Sequence, residues 1–238
     1  MRRNFKSLDL NSHLNGKIMK KTLLTILGLI AILSAFAQVD KTQLSLDVSK
    51  RYKENLGELS KFTWKRKVEG FVQGKPVMSS LSSVTIGQDR KLSAVVIQQQ
   101  SYVAKKRGIR GAIQKSTMAD VNEYVKNAIE LTMKYIYLSD GQMVDFFNKG
   151  TLSLLDNNLQ AECFNLLTQG DHLNYKFDKT SLNYLNQDIA TVMSGDPVKA
   201  TVLYETINGL SRVKSVKLDL PGVDVNISIS NFEFAKKL

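Results

Sequence analysis

The chain is short of reactive side chains. It holds one cysteine, two histidines and three prolines in 238 residues. A single Cys163 excludes an intrachain disulfide scaffold. A Cys/His zinc site needs about four ligands, and these residues do not supply them, so no metal and no cofactor is expected. No glycine-rich phosphate loop and no G-x-S-x-G elbow is present. Three prolines and fourteen glycines leave most turns to Asn, Asp and Ser. A composition of 43% hydrophobic and 23% charged residues is that of a globular chain with one sizeable core.

What is present begins with an address. Lys20 and Lys21 precede an apolar run from Thr22 to Phe36, and Ala35-Phe36-Ala37 stands before Gln38. This is the basic, apolar and small-residue order of a secretory signal peptide cleaved between Ala37 and Gln38. The run is shorter than the ~20 residues that span a bilayer core. Met19 starts a complete signal sequence by itself, which makes it the expected true start. No Cys follows the run for acylation. The reading is therefore a leader over 1–37 and one mature domain over 38–238, in the periplasm or outside the cell, without a lipid anchor.

The leader changes the charge. The full chain carries +11. Arg2, Arg3, Lys6, Lys17, Lys20, Lys21 and Asp9 leave with residues 1–37, so the mature balance is +6. That weakens a nucleic-acid reading. Lys105, Lys106, Arg107 and Arg110 form a local basic patch, and Lys65-Arg66-Lys67 forms another. Solvated faces account for both. A sharper reading gives the first patch to an acidic partner or to peripheral contact with anionic head groups.

Periodicity sets the elements. Leu44, Val48, Tyr52, Leu56 and Leu59 mark an amphipathic helix over about 41–59. Phe62, Trp64, Val68 and Val72 share one strand parity. Further strands are expected at 77–86 and 92–100, with a possible fourth through Tyr102 and Val103. Thr117 and Asp120 resemble a capping box, and the spacing predicts a helix from there to about Leu138. Ser139-Asp140-Gly141 ends it, and a short helix over 142–148 closes at Gly150 as a helix-terminating glycine. Strands follow at 159–168 and 173–177, then at 198–207, 216–220 and 223–229. The stretch 182–192 is ambiguous. Asn208-Gly209 is hairpin chemistry. The parity slip to Phe232 and Phe234 suggests a bulge at Ser230-Asn231.

Single reactive residues read blandly. His172 lies in a turn beside Gly170-Asp171 and is expected to be solvated. Cys163 is expected to be a small buried hydrophobe. Asp156-Asn157-Asn158 lacks the Gly and distant Glu of a calcium loop and reads as a turn.

The sum is an α+β chain: a curved antiparallel sheet, an open half-barrel of roughly eight to ten strands, covered by a leading helix and a central helical lid. The stretch GDPVKATVLYETINGLSRVKSVKLDLPG followed by VDVNISISNFEF (Gly195 to Phe234) carries the closest resemblance. In element order the chain resembles the bacterial lipoprotein-carrier superfamily (LolA/LolB, LppX/LprG and RseB-type proteins). The resemblance implies a non-enzymatic carrier that shelters lipid or lipoprotein acyl chains between sheet and helices. Aromatic and aliphatic residues on that face are the candidate apolar cavity: Phe62, Trp64, Val68, Tyr175, Phe177, Tyr204, Val216 and Leu218. The alternative is an envelope interaction protein of the same fold that uses the basic patch to meet a protein partner.

Overall fold

The computed structural model describes residues 41–87, 92–102, 109–155 and 157–237, with side chains from 122 onward in the third stretch. The leader, and the side chains of the patch at Lys105, Lys106, Arg107 and Arg110, lie outside the described residues. Three helices stand among the described residues: α1 (Lys41–Leu59), α2 (Ile109–Ile136) and α3 (Asp140–Lys149). The strands are β1 (Phe62–Val72), β2 (Lys75–Ile86), β3 (Leu92–Ser101), β4 (Thr151–Leu155), β5 (Asn158–Phe164), β6 (His172–Asp178), β7 (Tyr184–Met193), β8 (Asp196–Ile207), β9 (Leu210–Leu220) and β10 (Val225–Lys236).

All ten strands join one antiparallel sheet in the order β3-β2-β1-β10-β9-β8-β7-β6-β5-β4. The C-terminal strand returns beside the first, so two meanders fuse along the β1–β10 seam. The sheet is not closed, because β3 and β4 remain its two edges. This is the α+β curved open half-barrel.

Strand parity puts the apolar residues on the inner face. Leu173, Tyr175 and Phe177 of β6 are fully buried, as are Val198 and Val202 of β8. Residues between them, such as Lys199 and Thr201, face outward. All three helices cover this face, α2 burying Val125, Ala128, Thr132 and Tyr135 against it. Val48, Tyr52, Leu56 and Leu59 are the buried stripe of α1, and Met143, Phe146 and Phe147 that of α3. The Asn55 amide works like a short strand: it donates to the Ser211 carbonyl (2.6 Å) and accepts from the Ser211 N–H (2.8 Å). That pins α1 to the start of β9.

Several boundaries differ from expectation. The central helix starts at Ile109, eight residues before the expected cap, and runs through Thr117-Asp120. One Gly and one Thr inside a helix cost under about 1 kcal/mol each, too little to stop it. The capping box belongs instead to α3, where Ser139 Oγ accepts from the Gln142 N–H and the Gln142 side chain accepts from the Ser139 N–H. Tyr102 lies outside any strand, and Val103 is outside the described residues. Strand β4 was not expected, and β5 stops at Phe164 rather than at Thr168. The ambiguous stretch is strand β7.

Two local devices also differ. Gly150 ends α3 with extended backbone (φ −76°) rather than a left-handed one. A Cβ there would stand 2.6 Å from the Phe146 carbonyl oxygen, so close approach requires the glycine. The β10 bulge sits at Glu233, with φ 52°, where the register against β1 shifts. Asn231 therefore keeps the inward parity of Ile227 and Ile229 and is buried.

Candidate functional site

The inner wall carries a connected set of rings. Tyr184 stands at its centre, 4.9 Å from Phe177, 5.1 Å from Tyr204, 5.6 Å from Tyr175 and 5.8 Å from Tyr52 of α1, centroid to centroid. Phe146 and Phe147 of α3 pack on Tyr175 and Phe177. The structure thus brings Tyr175, Phe177 and Tyr204 together, beneath α3. Val216 and Leu218 are buried on the β9 part of the same face, opposite Ile229 and Ile227, and Val68 pairs with Ile229 across the seam. Trp64 belongs to a separate group, stacked on Phe234 at 4.9 Å, with the Arg212 guanidinium 3.6 Å from that ring centre. Phe62 is half-buried at the start of β1.

Buried hydroxyls in this layer are held by a polar network. The Tyr135 carbonyl, at the end of α2, accepts from Tyr175 Oη (2.7 Å) and Gln187 Nε2 (3.0 Å). Tyr204 Oη donates to Gln187 Oε1 (3.0 Å). Tyr135 Oη donates to Asp171 Oδ2 (3.1 Å). The buried Asp171 carboxylate also accepts the N–H groups of Leu166, Leu167 and Thr168 at 2.7–2.9 Å. Burial lifts the Tyr175, Tyr184 and Tyr204 hydroxyls well above the usual tyrosine range, and the neighbouring tyrosines add to it. The Tyr135, Tyr175 and Tyr204 hydroxyls, the Gln187 amide and the Asp171 carboxylate each have a partner, as a low-dielectric interior demands. The loop 165–171 is thereby fixed to the end of α2.

A cleft of about 880 Å³ opens between α1, the end of α2 and this loop. Tyr52, Leu56, Leu131, Tyr137, Leu138 and Leu167 give it apolar and aromatic walls, while Lys134, Gln142 and Thr168 stand among the polar lining. None of these residues was singled out in sequence as a ligand wall. The available signal was Leu131, an apolar position on α2 beside the stripe that faces the sheet, with Leu138 just past the end of the helix.

Arg66 corrects an expectation. It lies on the inward parity of β1 and is buried, not part of a solvated basic face. Its Nε donates to Asn231 Oδ1 (3.0 Å), which also accepts from Trp64 Nε1 (3.1 Å). Burial raises the Tyr137 hydroxyl, and the Arg66 guanidinium bonded to it partly offsets this. His172 is the first residue of β6 rather than a turn residue. It stacks on Phe164 (4.2 Å, 2° between planes), and its Nε2 lies 2.6 Å from Glu162 Oε1. Cys163 is buried, and burial raises its thiol. Asn157 turns between β4 and β5, and Asp156 is outside the described residues. Among the described residues no three His, Cys, Asp or Glu side chains stand together as a metal set. None of the described helices is long and apolar enough to cross a membrane.

No protein-family model and no curated protein matches the chain. Solved structures do. The chain is similar to a DUF1329 family protein from Desulfovibrio piger at 11% identity and a TM-score of 0.43, over 84% of this chain and 95% of that one. It is also similar to a LolA superfamily protein from Nitrosomonas europaea at 9% identity and a TM-score of 0.37, over 82% of this chain and 94% of that one. The second bears the name of the superfamily that the element order resembles. Neither likeness says what the cleft holds.

Proposed function

We propose that the protein is a non-enzymatic, exported binding protein that shelters an acyl chain of a lipid or lipoprotein in the cleft between α1, α2 and the loop 165–171. The cleft itself carries this reading. Its volume of about 880 Å³ falls in the ~300–1,000 Å³ range of ligand sites, and an apolar wall with a few polar groups is their usual make-up. An acyl chain gains about 0.8 kcal/mol for each buried CH₂, so burial alone retains it. The rings of Tyr175, Phe177 and Tyr204 serve as the rigid backing of the cleft through Tyr52 and Tyr184. The signal sequence over 1–37 supports delivery to the periplasm or the exterior, with residues 38–238 as the working domain.

The experiment is native mass spectrometry of the full chain purified from cell envelope, followed by titration with a fluorescent fatty-acid probe. Co-purifying lipid, and probe binding weakened about tenfold or more by Leu131→Glu, are expected. A ligand-free protein that ignores the probe overturns the reading.

A further inference from the structure

The outer face of the sheet carries a feature that acyl-chain binding does not use. The strand register places His172, Ala190, Lys199, Asp219, Asn226 and Phe71 directly opposite one another, on β6, β7, β8, β9, β10 and β1. This line crosses the strands at right angles to their run. A second line beside it carries Asp188, Thr201, Lys217 and Ser228. Between the two lines lies a groove of about 550 Å³. Its floor is shallow because Ala190, Thr201 and Ser228 are short. Five strand spacings of about 4.8 Å set its aromatic ends, His172 and Phe71, about 24 Å apart along the sheet.

We propose that this groove is a second binding site, which takes a neutral oligosaccharide lying across the strands. Three observations point to that chemistry. First, the charges cancel: Lys199 and Lys217 stand against Asp188 and Asp219, so an anion or a cation meets as much repulsion as attraction. Second, hydrogen-bonding capacity is unspent. Lys199 faces Asp219 across adjacent strands, yet among the described residues Lys199, Lys217, Asp219 and Asn226 have no side-chain hydrogen bond or ion pair. Ammonium, carboxylate and amide groups together supply the mixed donors and acceptors that sugar hydroxyls satisfy. Third, rings close both ends. Phe71 stands at one, and at the other the His172 ring is held by its stack on the exposed Phe164 and by Glu162. Ring faces bury the C–H faces of sugars by the same apolar contact that buries side chains.

The test is calorimetric titration of the full chain with chitohexaose, maltohexaose and xylohexaose, beside a sulfated heparin hexasaccharide. The expected result is that a neutral hexasaccharide binds, that its disaccharide binds at least about tenfold more weakly, and that affinity stays level from about 0.01 to about 1 M salt. Asp219→Ala and Phe71→Ala are each expected to weaken binding about tenfold or more. Lys217→Ala, an exposed change with no packing role, keeps the test open where Phe71→Ala disturbs folding. Three results overturn the proposal: no neutral glycan binds; binding is indifferent to Asp219→Ala and Lys217→Ala; or the heparin fragment alone binds and is released by salt, which makes the groove an anion site.

Discussion

The inner faces of β6 and β2 obey the same alternation and end in different states. On β6 the inward residues are Leu173, Tyr175 and Phe177, all fully buried under α3. On β2 they include Ser80 and Ser82, with Val84 and Ile86 only at the far end. The neighbour β3 is exposed along nearly its whole length, with Val95, Val96 and Ile97 at 66%, 58% and 56% exposure. The lesson concerns what parity can do alone. It orients side chains, but covering a sheet face requires bulk on that face for a helix to bury. Serines offer little apolar area, so the β2–β3 end stays an open lip while the β5–β9 end becomes a core.

The largest test of this contrast is alkaline pH. The folded-state values of Tyr175, Tyr184 and Tyr204 lie above the ordinary 10.0, so the folded form holds those protons more tightly. Their contribution is fully present below pH about 10 and is lost as pH rises past it. Phenolate absorbance of these three is expected to appear together with loss of the near-ultraviolet aromatic signal. Phenolates forming in an intact core break the comparison.

Next in size is Phe146→Ala. Removing a fully buried ring from the closed end is expected to cost about 3–5 kcal/mol in urea unfolding. A cost under about 1 kcal/mol shows that α3 covers the wall loosely. The smallest effect is expected on the lip, where Val96→Lys changes stability by no more than about 0.5 kcal/mol. A loss of about 2 kcal/mol or more in the same assay reveals a cover over β3 and removes the distinction between the two ends.

Legibility in the sequence follows the same division. The helix α1 and the strand β1 were readable to the residue, because Leu44, Val48, Tyr52 and Leu56 hold a helical period and Phe62, Trp64 and Val68 a strand period. The early start of α2 was not, since Thr117-Asp120 looks like a cap and nothing local tells it from a solvated turn of helix. Short β4 was missed because five residues show too little alternation. The candidate cavity residues share the inner face, but their division between the Tyr184 group and the Trp64–Phe234 stack depends on strands far apart in sequence. The cleft was not legible because Leu131 lies on a helix face, and Leu138 just past the helix end, that a sequence does not assign to any neighbour.

By itself the sequence determined which residues turn inward and where most turns fall. Periods of two and 3.6 residues are local properties, so local reading recovers them. The tertiary structure alone decided that β10 returns to pair with β1, that Arg66 is buried against Asn231, and that His172, Lys199, Asp219 and Phe71 line up across the outer face. Each depends on register between strands distant in the chain, and register is fixed by the packing of the whole inner face rather than by any segment of it.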